Sequence, residues 1–263
     1  DENDLRRFRT AIYAFLFVVS VAVMSGLELR PSHANESTVV DPNQLAFAIE
    51  TVDKQGIETW TTSIALDSNN RPNICYFKGA LRYAGYDGSS WIFETVDSHV
   101  GYIKECSLDL DDKDYPHISY ATGLSPIFLK YAYFNGTSWA FQNVDEGDIY
   151  RPSIALDSLG NPHISYLDAI SRTVKYAHYN GSSWLIQSVD SYGYCGYSQS
   201  IALDSHDRPH IAYYQDSYGN PPQYLKYAYY NGTSWSIETV DGKNTGYPSI
   251  ALDSQNHPHI SYG

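Results

Sequence analysis

Apolar and polar residues alternate over short runs along most of this chain, and no helical period appears inside the repeating part. The pattern is plainest over residues 153–190, SIALDSLGNPHISYLDAISRTVKYAHYNGSSWLIQSVD. Residues 153–156, 163–166, 174–179 and 184–189 are runs of strand length, rich in Ile, Val, Tyr and Trp and bounded by turn residues. We label them a, b, c and d. Between a and b, Asp157 is placed to cap the turn with its side chain, and Pro162 cannot extend strand a. Asn180-Gly181 joins c to d and predicts a tight hairpin with positive φ at both residues. Asn135-Gly136, Asn231-Gly232 and Asp87-Gly88 stand at the same place.

The unit recurs. Ser-Ile-Ala-Leu-Asp-Ser starts at Ser63, Ser153, Ser200 and Ser249, and a looser Ser-Leu-Asp-Leu-Asp-Asp starts at Ser107, so the intervals run from 44 to 49 residues. Four antiparallel strands repeated at that period predict the blades of a β-propeller. The chain stops after segments a and b, while residues 37–53 align without gaps on residues 225–241. It therefore starts with c and d and ends with a and b. The expected fold is all-β: a five-bladed propeller over residues 37–263, closed by a two-plus-two clasp that hides sheet edges. A solenoid and a domain-swapped ring are the competing arrangements.

Residues 1–36 differ. Arg6, Arg7 and Arg9 precede residues 11–27, a stretch without a single charge, and Ser32-His33-Ala34 follows. A secretory signal peptide fits this order. So does a retained hydrophobic α-helix that sits in a membrane or self-associates, although 17 residues fall short of the ~20 of a full span. The apolar segment ahead of a β-rich head resembles type IV pilin-like filament subunits, with the departure that the fifth residue is Leu5. The blades resemble the repeats of secreted prokaryotic surface proteins. The resemblance implies a filament with helices in its core, self-association through residues 11–27, and propellers displayed outside.

Composition adds boundaries. A net charge of −13 argues against nucleic acid as a partner. Many of the 25 tyrosines are repeat positions and are expected to pack between blades. The recurring His117, His163, His210 and His259, with Asn73 in the remaining blade, are expected to be structural, each bonded to a nearby turn. No metal or cofactor is implied. Cys106 and Cys195 are candidates for a disulfide, which leaves Cys75 a buried thiol. Asn35, Asn135, Asn180 and Asn231 head sequons and are glycosylation candidates. Both the sequons and the leading segment place the propeller outside the cytoplasm or at the cell surface.

Positions that break the repeat carry the functional signal. Asp109 stands where the other a strands have Ala65, Ala155, Ala202 and Ala251. Trp60, Tyr102, Tyr150, Tyr197 and Tyr247 lie between d and a, and with Asp109 they are the candidate ligand-binding residues at the channel mouth. Glu58, Glu105, Glu146 and Asp148 are acids in the same connections, but no motif assigns a nucleophile or a proton donor. The leading expectation is a non-catalytic structural subunit of a surface filament. The alternative is a secreted or anchored lectin-like propeller that binds glycans.

Overall fold

The computed structural model describes residues 20–22, 49–53, 61–99, 105–123, 126–191, 194–217, 220–242 and 246–263. The chain divides into two compact units, one holding the described residues up to Asp53 and the other those from Thr61 on.

In the first unit β1 (Ser20–Ala22) pairs antiparallel with β2 (Ile49–Thr51). This corrects the expected helix over residues 11–27: its described part is extended backbone. The partners are Ser20 with Thr51, Val21 with Glu50 and Ala22 with Ile49. Residues 226–228 pair with Thr239, Glu238 and Ile237 in the same register. Ser20-Val21-Ala22 thus takes the pairing that alignment gives to Thr38-Val39-Val40. The corresponding position of strand c in blades one to four is a fully buried alanine: Ala84, Ala132, Ala177 and Ala228. The remainder of the apolar stretch and residues 37–48 lie outside the described residues.

The second unit holds four four-stranded antiparallel sheets and one of two strands. Blade one is β3 (Thr62–Leu66), β4 (Pro72–Phe77), β5 (Leu81–Tyr86) and β6 (Trp91–Asp97). Blade two is β7 (Glu105–Leu110), β8 (Pro116–Thr122), β9 (Ile127–Phe134) and β10 (Trp139–Gly147). Blade three is β11 (Ile149–Leu156), β12 (Pro162–Asp168), β13 (Thr173–Tyr179) and β14 (Trp184–Asp190). Blade four is β15 (Tyr194–Leu203), β16 (Pro209–Ser217), β17 (Asn220–Tyr230) and β18 (Trp235–Asp241). The fifth sheet has only β19 (Ser249–Leu252) and β20 (Pro258–Ser261), strands a and b. A propeller of repeated blades is therefore present, and the fifth blade stops at two strands. Each a strand contacts the next along the chain, β3 to β7 to β11 to β15 to β19.

Side chains explain why the repeat is spelled as it is. The leading serine of each phrase reaches the next blade's inner strand: Ser63, Ser107, Ser153 and Ser200 Oγ accept from Leu108, Ile154, Ile201 and Ile250 N–H at 3.0–3.3 Å. Strand b is buried along its whole length in blades two and three, because sheet and neighbours cover both faces. Its tyrosine donates to an aspartate on strand d of the preceding blade: Tyr120 to Asp97, Tyr166 to Asp145 and Tyr213 to Asp190 at 2.6–2.9 Å. The tryptophan opening strand d donates Nε1–H to the preceding blade, Trp139 to Glu94, Trp184 to Gln142 and Trp235 to Gln187. It also stands edge-on to that blade's Tyr83, Tyr131 or Tyr176. The tyrosines do pack between blades. Each such bond contributes about 1 kcal/mol net and ties a blade to its neighbour.

The turns depart from expectation in one respect. Asp157 Oδ1 accepts from Leu159 and Asn161 N–H at 2.9 and 2.7 Å, the expected cap. The c–d hairpins are not two-residue turns: Tyr179 pairs with Trp184, and Asn180 Oδ1 accepts from Ser182 and Ser183 N–H. Only Gly181 has positive φ, because the asparagine caps through its side chain.

The disulfide also differs. Cys106 is bonded to Cys75, with Cα atoms 6.5 Å apart, and not to Cys195. Cys75 lies on strand b of blade one and Cys106 on strand a of blade two, so inter-blade stacking brings them together. Cys75 is therefore no free thiol.

Candidate functional site

Counting two residues back from each repeat serine gives Thr61, Glu105, Arg151, Ser198 and Tyr247, one residue per blade and five different types. Glu105 opens β7, Arg151 lies in β11 and Ser198 in β15, while Thr61 and Tyr247 just precede β3 and β19. Elsewhere the repeat enforces sameness for packing, so this register is where the unit departs from it.

Three of these residues meet. Arg151 donates its backbone N–H to Glu105 Oε2, and its Nε lies 3.4 Å from Glu105 Oε1. Its guanidinium carbon lies 5.3 Å from the centroid of the Tyr247 ring, a cation–π contact. Arg151 belongs to the third blade and Tyr247 leads into the fifth, so the inner strands must curve around a common axis. Gln199, in the fourth blade, donates Nε2–H to the carbonyl of Arg151. Gln199 is 7% exposed, and its Oε1 is buried without a hydrogen-bond partner.

The backbone here is held in an unusual form. Arg151 has φ of 53° and Tyr247 of 51°, the left-handed region, which costs a non-glycine residue ~1–2 kcal/mol. Register breaks sit beside the cluster, between Tyr150 and Ser153 and between Cys195 and Gln199. Such bulges re-aim side chains at the edge of a functional site. Glu105 is 12% exposed at its side chain, Arg151 35%, and Tyr247 62% overall. The site is graded from a buried carboxylate through a half-buried guanidinium to an open ring.

Asp109 lies on the same strand and face as Glu105 and Ser107, but it does not join the cluster. Its Oδ2 accepts from Leu156 N–H and its Oδ1 from Leu110 N–H, both at 2.9 Å. Protein crowds the carboxylate, and burial pushes it up to about 6 against the pull of those two N–H groups. Four residues along a strand separate Glu105 from Asp109 by ~13 Å.

The repeated histidines are structural in blades two to four. The ring Nδ1 of His117, His163 and His210 shares a hydrogen with the hydroxyl of Tyr131, Tyr176 and Tyr227 on strand c. Their Nε2 atoms lie 3.7 Å from Asp111, Asp157 and Asp204 in the a–b turn. Burial lowers all three pKa values, His163 to about 4. In blade one Asn73 Oδ1 accepts from Tyr83 in their place. His259 has no strand c beside it in its sheet, and its side chain is 65% exposed. Among the described residues no group of three or more His, Cys, Asp or Glu side chains could hold a metal.

Of the residues singled out in the sequence, Tyr247 falls in the cluster and Asp109 does not, bonding instead to Leu110 and Leu156. Tyr150 packs against the core between blades two and three. Trp60, Tyr102 and Asn35 lie outside the described residues, as does the side chain of Tyr197. Three residues expected in the d–a connections belong to strands instead: Glu105, Glu146 and Tyr150. Asn135, Asn180 and Asn231 are exposed turn residues. Sequence reading missed Arg151 and Gln199. Comparing blades at the position two before the serine would have found Arg151.

The chain matches no protein-family model and no curated protein. Solved structures do match. A polysaccharide lyase, an ulvan lyase, superposes at TM-score 0.50 and 15% identity, over 72% of this chain and 60% of that one. A variant of the Aleuria aurantia lectin in complex with Fucα1-6GlcNAc matches at 0.52 and 14%, over 77% of each chain. An α-L-arabinanase from Penicillium chrysogenum, complexed with arabinobiose, matches at 0.57 and 11%, over 77% of this chain and 74% of that one. The chain spans about three fifths of the ulvan lyase. At these identities the likeness shows a propeller fold.

Two expectations are corrected. The structural filament subunit rested on an N-terminal helix, yet the described residues there are strand, and the matching folds belong to proteins of carbohydrate recognition and cleavage. No helix among the described residues is long and apolar enough to cross a membrane. The expectation that the chain is no enzyme is overturned with it, since an ulvan lyase and an arabinanase share this fold.

Proposed function

We propose that the protein engages carbohydrate at the mouth of its inner strands, through Tyr247, Arg151 and Glu105. The observation that carries this is the constellation itself: an exposed ring, a half-buried guanidinium and a buried carboxylate on left-handed backbone. An exposed aromatic face packs against the apolar face of a sugar ring, and planar charged groups bind its hydroxyls through strong hydrogen bonds. The matching folds include proteins whose bound molecules are a fucosylated GlcNAc and arabinobiose, which accords with this reading.

The test is a glycan array with the full chain, followed by calorimetry on the best ligands with Arg151→Ala and Tyr247→Ala. Binding that both variants weaken tenfold or more supports the site. Binding to no glycan, or binding that neither variant changes, refutes it. Release of reducing ends, or of unsaturated products absorbing in the ultraviolet, from the same glycans would add cleavage to recognition.

One further reading belongs here. We also propose that the protein works outside the cytoplasm. The Cys75–Cys106 bond and the sequons on exposed turns support it.

A further inference from the structure

We propose that Asn135, Asn180 and Asn231 are N-glycosylated, so that blades two, three and four each carry a glycan at the end of the blade away from the Tyr247–Arg151 cluster. Sugar carried by the chain is independent of sugar bound by it, and neither reading needs the other.

The c–d hairpin alone does not ask for Asn-Gly-Ser/Thr. Asn135 Oδ1 accepts from Thr137 and Ser138 N–H, Asn180 Oδ1 from Ser182 and Ser183, and Asn231 Oδ1 from Thr233 and Ser234, all at 2.9–3.0 Å. Asp87 Oδ1 does the same work in blade one, accepting from Ser89 and Ser90 N–H at 2.7 and 2.8 Å. The cap needs only an acceptor, which a carboxylate supplies as well as an amide. What asparagine adds is Nδ2. No hydrogen bond from Nδ2 of Asn135 or Asn180 is found among the described residues, and that of Asn231 reaches only Ser234 Oγ, at 3.5 Å. The hairpin has no fixed use for the hydroxyl two residues on, either. Ser182 Oγ donates to Asn180 Oδ1 at 2.8 Å, but no hydrogen bond of the Thr137 or Thr233 hydroxyl is found among the described residues. The three turns thus hold an amide nitrogen and a hydroxyl beyond what their fold uses, in the order that defines an N-glycan acceptor.

Placement agrees. Each asparagine and the three residues after it are exposed. No atom lies within 4 Å of where a Cβ on Gly181 or Gly232 would stand, so the space at these two turns is open, while the Tyr115 side chain flanks Gly136. In blade three Tyr150, Leu167, Val174 and Asp190 align at one end of the sheet, next to Arg151, and Tyr179 pairs with Trp184 at the other. Val174 and Tyr179 are five residues apart on strand c, ~17 Å of strand. A glycan on the hairpin therefore leaves the cluster uncovered. Each hairpin also opens strand d, the outer strand, where Phe141, Leu185, Ile186 and Ile237 are exposed. A bulky hydrophilic group at the start of such a strand opposes edge-to-edge pairing. The transfer joins Nδ2 to the anomeric carbon of a sugar carried on a lipid diphosphate. The bond from that carbon to the phosphate oxygen breaks, the lipid diphosphate leaves with the electron pair, and one amide proton passes to a base of the transferase. The Cys75–Cys106 bond accords with the non-cytoplasmic compartment this transfer needs.

Mass spectrometry of the full chain purified from its native source tests this, with intact glycopeptides searched for any added mass. Peptides holding Asn135, Asn180 and Asn231 should carry sugar on the asparagine, and the peptide holding Asp87 should not. Sugar on two or more of the three asparagines supports the proposal. Sugar on one or none, or sugar found only on serine and threonine hydroxyls, overturns it. Ser182→Ala and Thr233→Ala, produced in the same source, keep the backbone bonds of the turn and remove the acceptor. Each should lower the intact mass by one whole glycan and leave the melting temperature unchanged. A mass that falls only by the substituted atoms would overturn the proposal as well.

Discussion

Arg151 in the third blade lies over the ring of Tyr247 at the entrance to the fifth, 5.3 Å from its centroid, and both residues hold left-handed backbone. Two strained residues from separate blades meeting at one point suit a place kept for a task other than packing. Tyr247 is 62% exposed, so its side chain contributes little burial to the fold. Tyr247→Gly should therefore raise stability by ~0.5–1 kcal/mol through relief of backbone strain, while sugar affinity falls at least tenfold. Thermal melts and calorimetry on the same preparation check both halves. A variant less stable than the parent would show that the ring is a structural plug.

The histidines make the propeller acid-sensitive. His163 has its pKa lowered by burial to about 4 from 6.5. Because the folded state disfavours the protonated ring, the stability it contributes is complete above pH 6.5 and is lost as pH falls through 6.5 towards 4. Asn73 does the same hydrogen-bonding work in blade one without titrating. His163→Asn should fold at neutral pH and be up to ~3 kcal/mol less penalised than the parent near pH 4. Urea unfolding at a series of pH values measures it, and parallel pH curves for the two proteins would disprove it.

Asp109 works in the opposite direction. Its carboxyl is raised to about 6 from 3.8, so the folded state holds the proton more tightly than the unfolded chain does. The stability from this group is complete below pH 3.8 and is lost as pH rises through about 6. Asp109→Asn removes the titrating charge and keeps an oxygen to accept from Leu156 or Leu110. Its stability relative to the parent should rise by up to ~3 kcal/mol between pH 4 and pH 7. A difference that stays constant over that interval would show the carboxyl to be unperturbed.

Cys75 and Cys106 close a 31-residue separation across the first two blades. By the loop-entropy model, losing that bond costs ~3–4 kcal/mol. Cys75→Ser should lower the unfolding free energy by about that amount. Peptide mapping without reductant should recover the Cys75–Cys106 linkage and find Cys195 alkylated. A Cys106–Cys195 peptide would refute the pairing.

The sequence by itself determined the blade. Ser-Ile-Ala-Leu-Asp-Ser, Pro-His-Ile-Ser-Tyr and Asn-Gly with its Trp encode strand, turn and inter-blade bond, and each is satisfied within a blade or by the next one along the chain. The structure returned all four strands of blades one to four close to where periodicity put them. Contacts between distant or unlike segments were not legible in this way. Residues 20–22 read as part of an apolar helix because their composition is helix-compatible; backbone pairing to residues 49–51 makes them a strand. Cys106 has two candidate partners on paper, and the stacking of blade two on blade one selected Cys75. The candidate site is the clearest case. Glu105, Arg151, Gln199 and Tyr247 are spread over four blades and share no motif. Only curvature of the inner strands about one axis brings them together, and local patterning carries no record of that curvature.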